Sequence, residues 1–364
     1  MNTTMNTTRR DALVEQLFLG TMGALETLHV YLGDRLGLYT ALAALPDASA
    51  PELAARADVH ERYAREWLEQ QAVAGLLDVV TDDDNPSARR FRLPAEVAEV
   101  MTDRNSLNFL APLAQVVAGI GQTMPALLAA FRTGDGVPYA AYGADVRNGI
   151  ARLNRPMFLQ QLASEWIPSM PDIEARLRSA DPPARVADLG CGSGWSSIAM
   201  AQSYPHARVD GIDLDEASIQ EAQRNAEAAG LGAAVRFHSG DAGNPVLAGH
   251  YDLVTLFETL HDMADPVRVL RAAATLLAPG GAVLVADEKV AETFTAPGDE
   301  LERFDYGWSA LHCLPVGLTA PGSAGTGTVM RPDTVRRYAR DAGFSGVTVL
   351  PVEHDFWRFY RLDL

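Results

Sequence analysis

After the DPP run at residues 181–183, short apolar runs begin to alternate with helical stretches, and few architectures accept such an alternation. Strands that are apolar on both faces need helices above and below their sheet, and parallel neighbours need a crossover helix between them. The pattern predicts βαβ units in a doubly wound, Rossmann-like α/β sheet. Strands are expected at residues 185–189, 208–213, 235–239, 252–258, 282–287, 346–352 and 356–362. Residues 289–330, rich in Gly, Pro, Ser and Thr, read as a lid-like insertion over the active face.

The 364 residues are enough for a second, smaller unit ahead of this sheet. From Asp11 to about Leu45, apolar residues such as Leu13, Leu17, Met22, Leu25, Leu28, Leu32 and Leu36 recur every three or four positions, predicting one or two helices whose face wants a partner. Ser49 and Glu52, with Pro51 between them, form a capping box opening a helix that runs to Ala57. A further helix is expected from Glu61 to Ala74, stopped by Gly75. The run LLDVV at 76–80, the turn DDDNP at 82–86 and RFRL at 90–93 read as a β-hairpin. Helices followed by a hairpin give the winged-helix order. The expected organisation is a mainly helical, winged-helix-like domain over residues 1–103, a helical connector over 104–180 and the α/β domain over 181–364.

Charge limits the partners. A formal charge of -17 repels phosphate backbones and anionic lipid, and the wing carries Asp82, Asp83 and Asp84 where a DNA reader would need cations. Neither nucleic acid nor membrane is expected as a partner. Residues 111–131 are largely apolar, but Pro112, Gln115, Gln122 and Pro125 interrupt them, which suits a buried or inter-subunit helix better than a bilayer span. Two cysteines, Cys191 and Cys313, are too few for a disulfide framework, and the N-terminal stretch lacks an apolar secretory core, so a cytoplasmic location is expected.

The densest motif is VADLGCGSG at residues 186–194, a strand entering a glycine turn and then a helix. Glycine lets the backbone approach a ligand without a Cβ in the way. Gly190 and Gly192 satisfy the first half of a dinucleotide fingerprint, but its third glycine position holds Trp195, too bulky for close helix-to-strand packing. Asp188, two residues before the first glycine, suits a ligand carrying an ammonium and a sulfonium and no phosphates.

At these residues the sequence resembles the class I S-adenosylmethionine methyltransferases, whose first motif is an acidic residue followed by G-x-G-x-G. The likeness continues in order over roughly the C-terminal half and implies a cofactor site. Asp188, Gly190, Gly192 and Gly194 form its turn, and Asp213, followed by Leu214, ends the second strand where a carboxylate accepts ribose hydroxyls. Asp241 and Ala242 fall beside the adenine amine, and Phe257 and Glu258 end the fourth strand. The LLAPGG run at 276–281 matches the turn before the fifth strand. For Asp213 or Asp241 alone, a helix N-cap is the competing explanation.

Chemistry in such sheets takes place beyond the carboxyl ends of the strands. There the sequence reads ETLHDM at 258–263, and His261 resembles the general base of small-molecule O-methyltransferases that carry an N-terminal winged-helix dimerisation domain. A homodimer acting on a small metabolite of secondary metabolism is implied by the same resemblance. Met263 departs from it, because many of those enzymes have tryptophan there. The plainer alternative for His261 is a hydrogen-bonded histidine at a helix start. His312, in YGWSALHCLP at 306–315, joins His261 and Asp262 as candidate catalytic residues. Those three also form a candidate metal set of two histidines and one carboxylate, resembling iron-dependent C-methyltransferases of α-keto acids. Two further alternatives remain at this point: a winged-helix regulator with a ligand-sensing α/β domain, and a non-methylating use of the same cofactor.

Overall fold

The computed structural model describes residues 7–247 and 249–364, so the reading of residues 1–6 as part of a non-secretory N-terminus lies outside the described residues. The chain separates into two compact units, Met1–Gly121 with Ala144–Pro156, and Gln122–Gly143 with Met157–Leu364.

The first unit opens with a 29-residue helix, Thr7–Arg35, followed by the helix Leu38–Ala43. Strand β1 (Ala48–Ser49) precedes the helices Ala50–Ala57 and Glu61–Val73, and strands β2 (Asp78–Thr81) and β3 (Arg90–Arg92) form the wing. The expected capping box is present: the Ser49 amide and hydroxyl both donate to the Glu52 carboxylate, at 2.8 and 2.9 Å. Strand β3 lies antiparallel between β1 and β2, an arrangement the sequence hid because a two-residue strand shows no period. Tyr39 and Trp67 meet edge to face at 5.0 Å in a core with Leu42, Leu53, Leu68 and Phe91. The helix Thr7–Arg35 buries only Gly33 and leaves Leu13, Val14, Leu17, Phe18, Met22 and Leu25 exposed.

Among the described residues one helix, Ala111–Thr133, is long and apolar enough to cross a membrane by length and composition. It carries Pro125 internally and buries Ala111, Ala114, Val116, Ile120 and Leu127.

The second unit is a seven-stranded sheet. Its strands are β4 (Arg185–Leu189), β5 (Arg208–Asp213), β6 (Val235–Ser239), β7 (Tyr251–Phe257), β8 (Leu277–Glu288), β9 (Gly346–Val349) and β10 (Trp357–Asp363). The order is β6-β5-β4-β7-β8-β10-β9, parallel except for β10, which runs antiparallel to both of its neighbours. Alternate residues of the central strands feed two separate cores. Ala282, Leu284 and Ala286 of β8 pack with Trp166, Leu253 and Phe359, while Val283 and Val285 pack on the other face with Leu256, Leu270 and Leu362. Each large apolar side chain so buried contributes roughly 1.5–3 kcal/mol, which is why both faces read as apolar in the sequence. Strand order reverses between β4 and β7, and the carboxyl ends of these two strands open the crevice in which such sheets bind ligands.

Residues 289–330 are more regular than their Gly and Pro content suggested. They contain the helix Glu300–Trp308, a π-helical turn Ser309–Cys313 and the short helix Leu314–Gly317.

Candidate active site

The crevice is built around the turn that leaves β4. The amides of Gly190 and Cys191 both donate to the Ile212 carbonyl, at 2.8 and 3.1 Å, tying the turn to β5. Gly194 lies at φ +81°, and a Cβ there would stand 2.6 Å from the Phe237 ring and 2.9 Å from Ala222. Gly192, at φ +52°, is different, since a Cβ there would meet nothing within 4 Å. One glycine permits packing and the other keeps space open. Asp188 is turned inward: Oδ2 accepts from the hydroxyls of Ser196 and Ser197, both at 2.6 Å, and Oδ1 from Thr255 at 2.8 Å. Its carboxylate braces the turn against the following helix, Trp195–Ser203, and against β7.

Asp213 ends β5 at the rim. Its Oδ2 accepts the Gly192 amide and its Oδ1 the Asp215 amide, each at 2.8 Å, and burial pushes its pKa up to about 6. Leu214 beside it is 77 % exposed, an apolar surface ready to be covered. Asp241 is engaged locally, accepting the Gly243 amide and pairing with Arg268, both at 2.8 Å, and Ala242 next to it is partly buried. Phe257 ends β7, and its ring packs 5.5 Å from Phe158 and 6.0 Å from Trp166. Glu258 follows at φ +54°, one of two positive-φ residues other than glycine among those described. A side chain held in that region marks a backbone over-determined by its surroundings, here at the mouth of the crevice.

This rim fits S-adenosylmethionine on its own chemistry. Open space over Gly192, a carboxylate of raised pKa, and an exposed leucine suit a ligand with a hydroxylated sugar, an apolar base and positive charge.

Next to the rim, the 3-10 turn Leu260–Asp262 carries His261, which is 1 % exposed. Its Nδ1 lies 2.8 Å from Asp287 Oδ1 and 3.1 Å from Glu288 Oε2, both carboxylates sitting at the end of β8. Burial alone would lower the His261 pKa, but Asp287 and Glu288 together outweigh it and hold the pKa well above the usual histidine value. Glu288 is itself raised to about 7 by burial. Asp262 is pushed to about 7, by burial first and then by the neighbouring Asp213, Glu288 and Glu258, against the lowering effect of His261. His312 follows a different course: burial and the adjacent charge of His261 lower its pKa to about 4. Its ring stands edge-on to Tyr142 at 4.6 Å and to Tyr139 at 5.8 Å. The lid is stitched to this turn by the Gly327 amide on the His261 carbonyl at 3.0 Å and the Ala324 amide on the Ala264 carbonyl at 2.8 Å.

The metal set read from the sequence is not assembled. Among the described residues the group whose possible ligand atoms all lie within 4.8 Å of one another is His261, Asp287 and Glu288, without Asp262 or His312. Asp287 and Glu288 escaped the sequence reading, although adjacency of β7 and β8 brings the end of the fifth strand of the sheet beside the turn that carries His261.

Comparison with known proteins bears on the family and the fold. Residues 180–308 match a family described as "Methyltransferase domain", and residues 24–103 match the "Rv2258c-like winged HTH domain". The ubiquinone biosynthesis O-methyltransferase of Stutzerimonas stutzeri is 33% identical over 183 residues, covering 49% of this chain and 72% of the relative. The Bordetella avium protein of the same name is 42% identical over 97 residues, but that match covers 27% of this chain and only 39% of the relative. Whole-chain likeness in fold is found with the mitomycin 7-O-methyltransferase MmcR, at TM-score 0.67 and 20% identity over 98% of this chain and 99% of the other. Human N-acetylserotonin methyltransferase, solved with its S-adenosylmethionine, gives 0.68 at 17% identity over 100% and 99%. The chain belongs to the S-adenosylmethionine-dependent methyltransferases. It joins that catalytic fold to a winged-helix N-terminal domain.

Proposed function

We propose that this methyltransferase acts on an acidic hydroxyl of a small organic metabolite, of the secondary-metabolic kind that mitomycin exemplifies for MmcR, and that His261 takes the proton. The single observation carrying this reading is the buried hydrogen bond from His261 Nδ1 to Asp287, with Glu288 alongside. Donation of Nδ1–H to those carboxylates leaves Nε2 as the basic nitrogen and fixes the ring's orientation. When bound, the sulfonium donor supplies an electrophilic methyl group and a positive charge that opposes protonation of His261. The ring, held neutral in that state, accepts the hydroxyl proton at Nε2 while Asp287 and Glu288 stabilise the imidazolium that forms. Asp213 and the open face of Gly192 hold the donor, and the Asp188 carboxylate keeps their turn in shape. Replacing His261 with alanine is expected to lower kcat by about a hundredfold or more while leaving S-adenosylmethionine affinity within about threefold. Wild-type turnover by that variant contradicts the assignment.

The same reading makes the chain a homodimer in the cytoplasm. The exposed apolar row of the helix Thr7–Arg35 supports the dimer, since Leu17 and Phe18 are 64 % and 69 % exposed. Cys191 and Cys313, both buried free thiols, fit a reducing compartment. A role in DNA reading is disfavoured because the wing arginines are spent on carboxylates: Arg89 on Glu69 and Asp82, Arg90 on Asp47 and Glu52, Arg92 on Asp78.

A further inference from the structure

Asp287 and Glu288 bring more acceptor oxygens to His261 than one ring nitrogen can answer. His261 Nδ1 lies 2.8 Å from Asp287 Oδ1 and 3.1 Å from Glu288 Oε2, but only the first contact has hydrogen-bond geometry. Glu288 Oε2 is left without a donor, and so is Asp287 Oδ2. The Glu288 amide turns to Asp287 Oδ1 as well, at 3.1 Å, and does nothing for Oδ2. Both residues are more than nine-tenths buried, Asp287 at 1 % and Glu288 at 8 % exposed. Buried carboxylate oxygens in this condition are costly unless a proton or a cation reaches them.

The three groups stand close enough to share a cation. One ligand atom from each of His261, Asp287 and Glu288 lies within 4.8 Å of the other two. Two atoms each about 2.1 Å from one ion are about 3.0 Å apart at right angles and about 3.4 Å apart at the tetrahedral angle. The observed 2.8 and 3.1 Å correspond to the right angle, so the imidazole stands cis to both carboxylates, as in an octahedral site. One imidazole nitrogen with two carboxylates suits a divalent transition metal. His312, which the sequence grouped with His261, is turned elsewhere, with Nδ1 3.4 Å from Cys313 Sγ and its ring against Tyr142.

We propose that His261 Nδ1, Asp287 and Glu288 form a divalent transition-metal site that competes with the base, because an ion on Nδ1 leaves the ring's remaining proton on Nε2. Resting on the assignment of His261 as base, the site adds inhibition to it: a protonated Nε2 cannot accept the hydroxyl proton. The exchange involves no redox step. The Nδ1–H bond is replaced by Nδ1–metal, and the displaced proton goes to Nε2 if that nitrogen is bare, or to solvent if both nitrogens carried one.

The test uses the intact protein stripped with EDTA and then freed of it. Its binding of S-adenosylhomocysteine is recorded first, so that failure of the methyltransferase reading is seen separately. Calorimetry with Mn²⁺ and with Zn²⁺ is expected to give one saturable site per chain. Asp287→Asn and Glu288→Gln, each still binding S-adenosylhomocysteine, should weaken it about tenfold or more. His312→Gln should leave it within about threefold. Nitrogen-resolved NMR of the wild-type His261 ring during the Zn²⁺ titration reads the competition without any variant: Nδ1 should move to a metal-bound shift while Nε2 keeps its hydrogen. The proposal is overturned if neither ion binds below about 1 mM. It is overturned equally if binding survives both carboxylate substitutions, if His312→Gln abolishes it, or if Nε2 is the nitrogen that loses its hydrogen.

Discussion

Alanine at Gly194 and alanine at Gly192 should have different consequences, though the two glycines belong to the same turn. At Gly194 the new Cβ has to accept a left-handed backbone at φ +81° and a 2.6 Å approach to the Phe237 ring. The first costs about 1–2 kcal/mol. The overlap adds about 1–3 kcal/mol, because both Phe237 and Ala222 are packed and must move. A loss of roughly 2–5 kcal/mol is therefore expected for Gly194→Ala. Gly192→Ala incurs only the backbone cost, about 1–2 kcal/mol, because its Cβ enters empty space. The proposed donor site lies in that space, so the second variant should fold and lose about tenfold or more in S-adenosylmethionine affinity. Hydrogen exchange of the β4 amides reads the stability difference, and calorimetry reads the affinity. Equal stability losses for the two variants, or an unchanged affinity for Gly192→Ala, would refute the division of labour within the turn.

Three further outcomes follow from the site and the surface. The carboxyls of Asp213, Asp262, Glu288 and Asp305 are raised by burial to between about 6 and about 7, so the folded chain holds protons that the unfolded chain releases near pH 4. Their stabilising contribution is complete below about pH 4 and is lost as pH rises through about 7; His261 adds a loss of the same sign above about 6.5, while His312, lowered to about 4, opposes it between about 4 and 6.5. The melting temperature of ligand-free protein is expected to fall between about pH 5 and pH 8, and a rise would contradict these environments. Asp287→Asn removes a charge that raises the His261 pKa, and NMR titration of the ring should show that pKa falling, with no movement counting against the pairing. Phe18→Glu, alone or with Leu17→Glu, places charge on the exposed apolar row and should shift sedimentation from dimer to monomer; an unchanged coefficient would remove that face from the interface.

Much of the second unit could be read from local pattern, because strands buried on both faces leave uninterrupted apolar runs. β4, β5 and β6 occupy the residues expected, and β7 and β10 differ from expectation by a residue at each end. β8 runs further, from Leu277 to Glu288, since the glycine turn before it pairs with Tyr251, a contact no local pattern announces. The glycine turn and Asp213 were legible in position because fixed spacing sets them at the ends of β4 and β5. Asp287, Glu288 and Asp305 were not, because two acidic residues at the close of an apolar strand and one in a polar helix look like solvent-facing charge. Only the pairing of β7 with β8 brings the first two beside His261, and only the packing of the helix Glu300–Trp308 leaves Asp305 buried.

Calorimetric titration of the purified protein with S-adenosylmethionine, beside its Asp213→Ala variant, bears most directly on the claim that the crevice between β4 and β7 holds a sulfonium donor. The expected result is one site per chain, with affinity reduced about tenfold or more in the variant. Heat from a nicotinamide dinucleotide, with none from S-adenosylmethionine or S-adenosylhomocysteine, would contradict it.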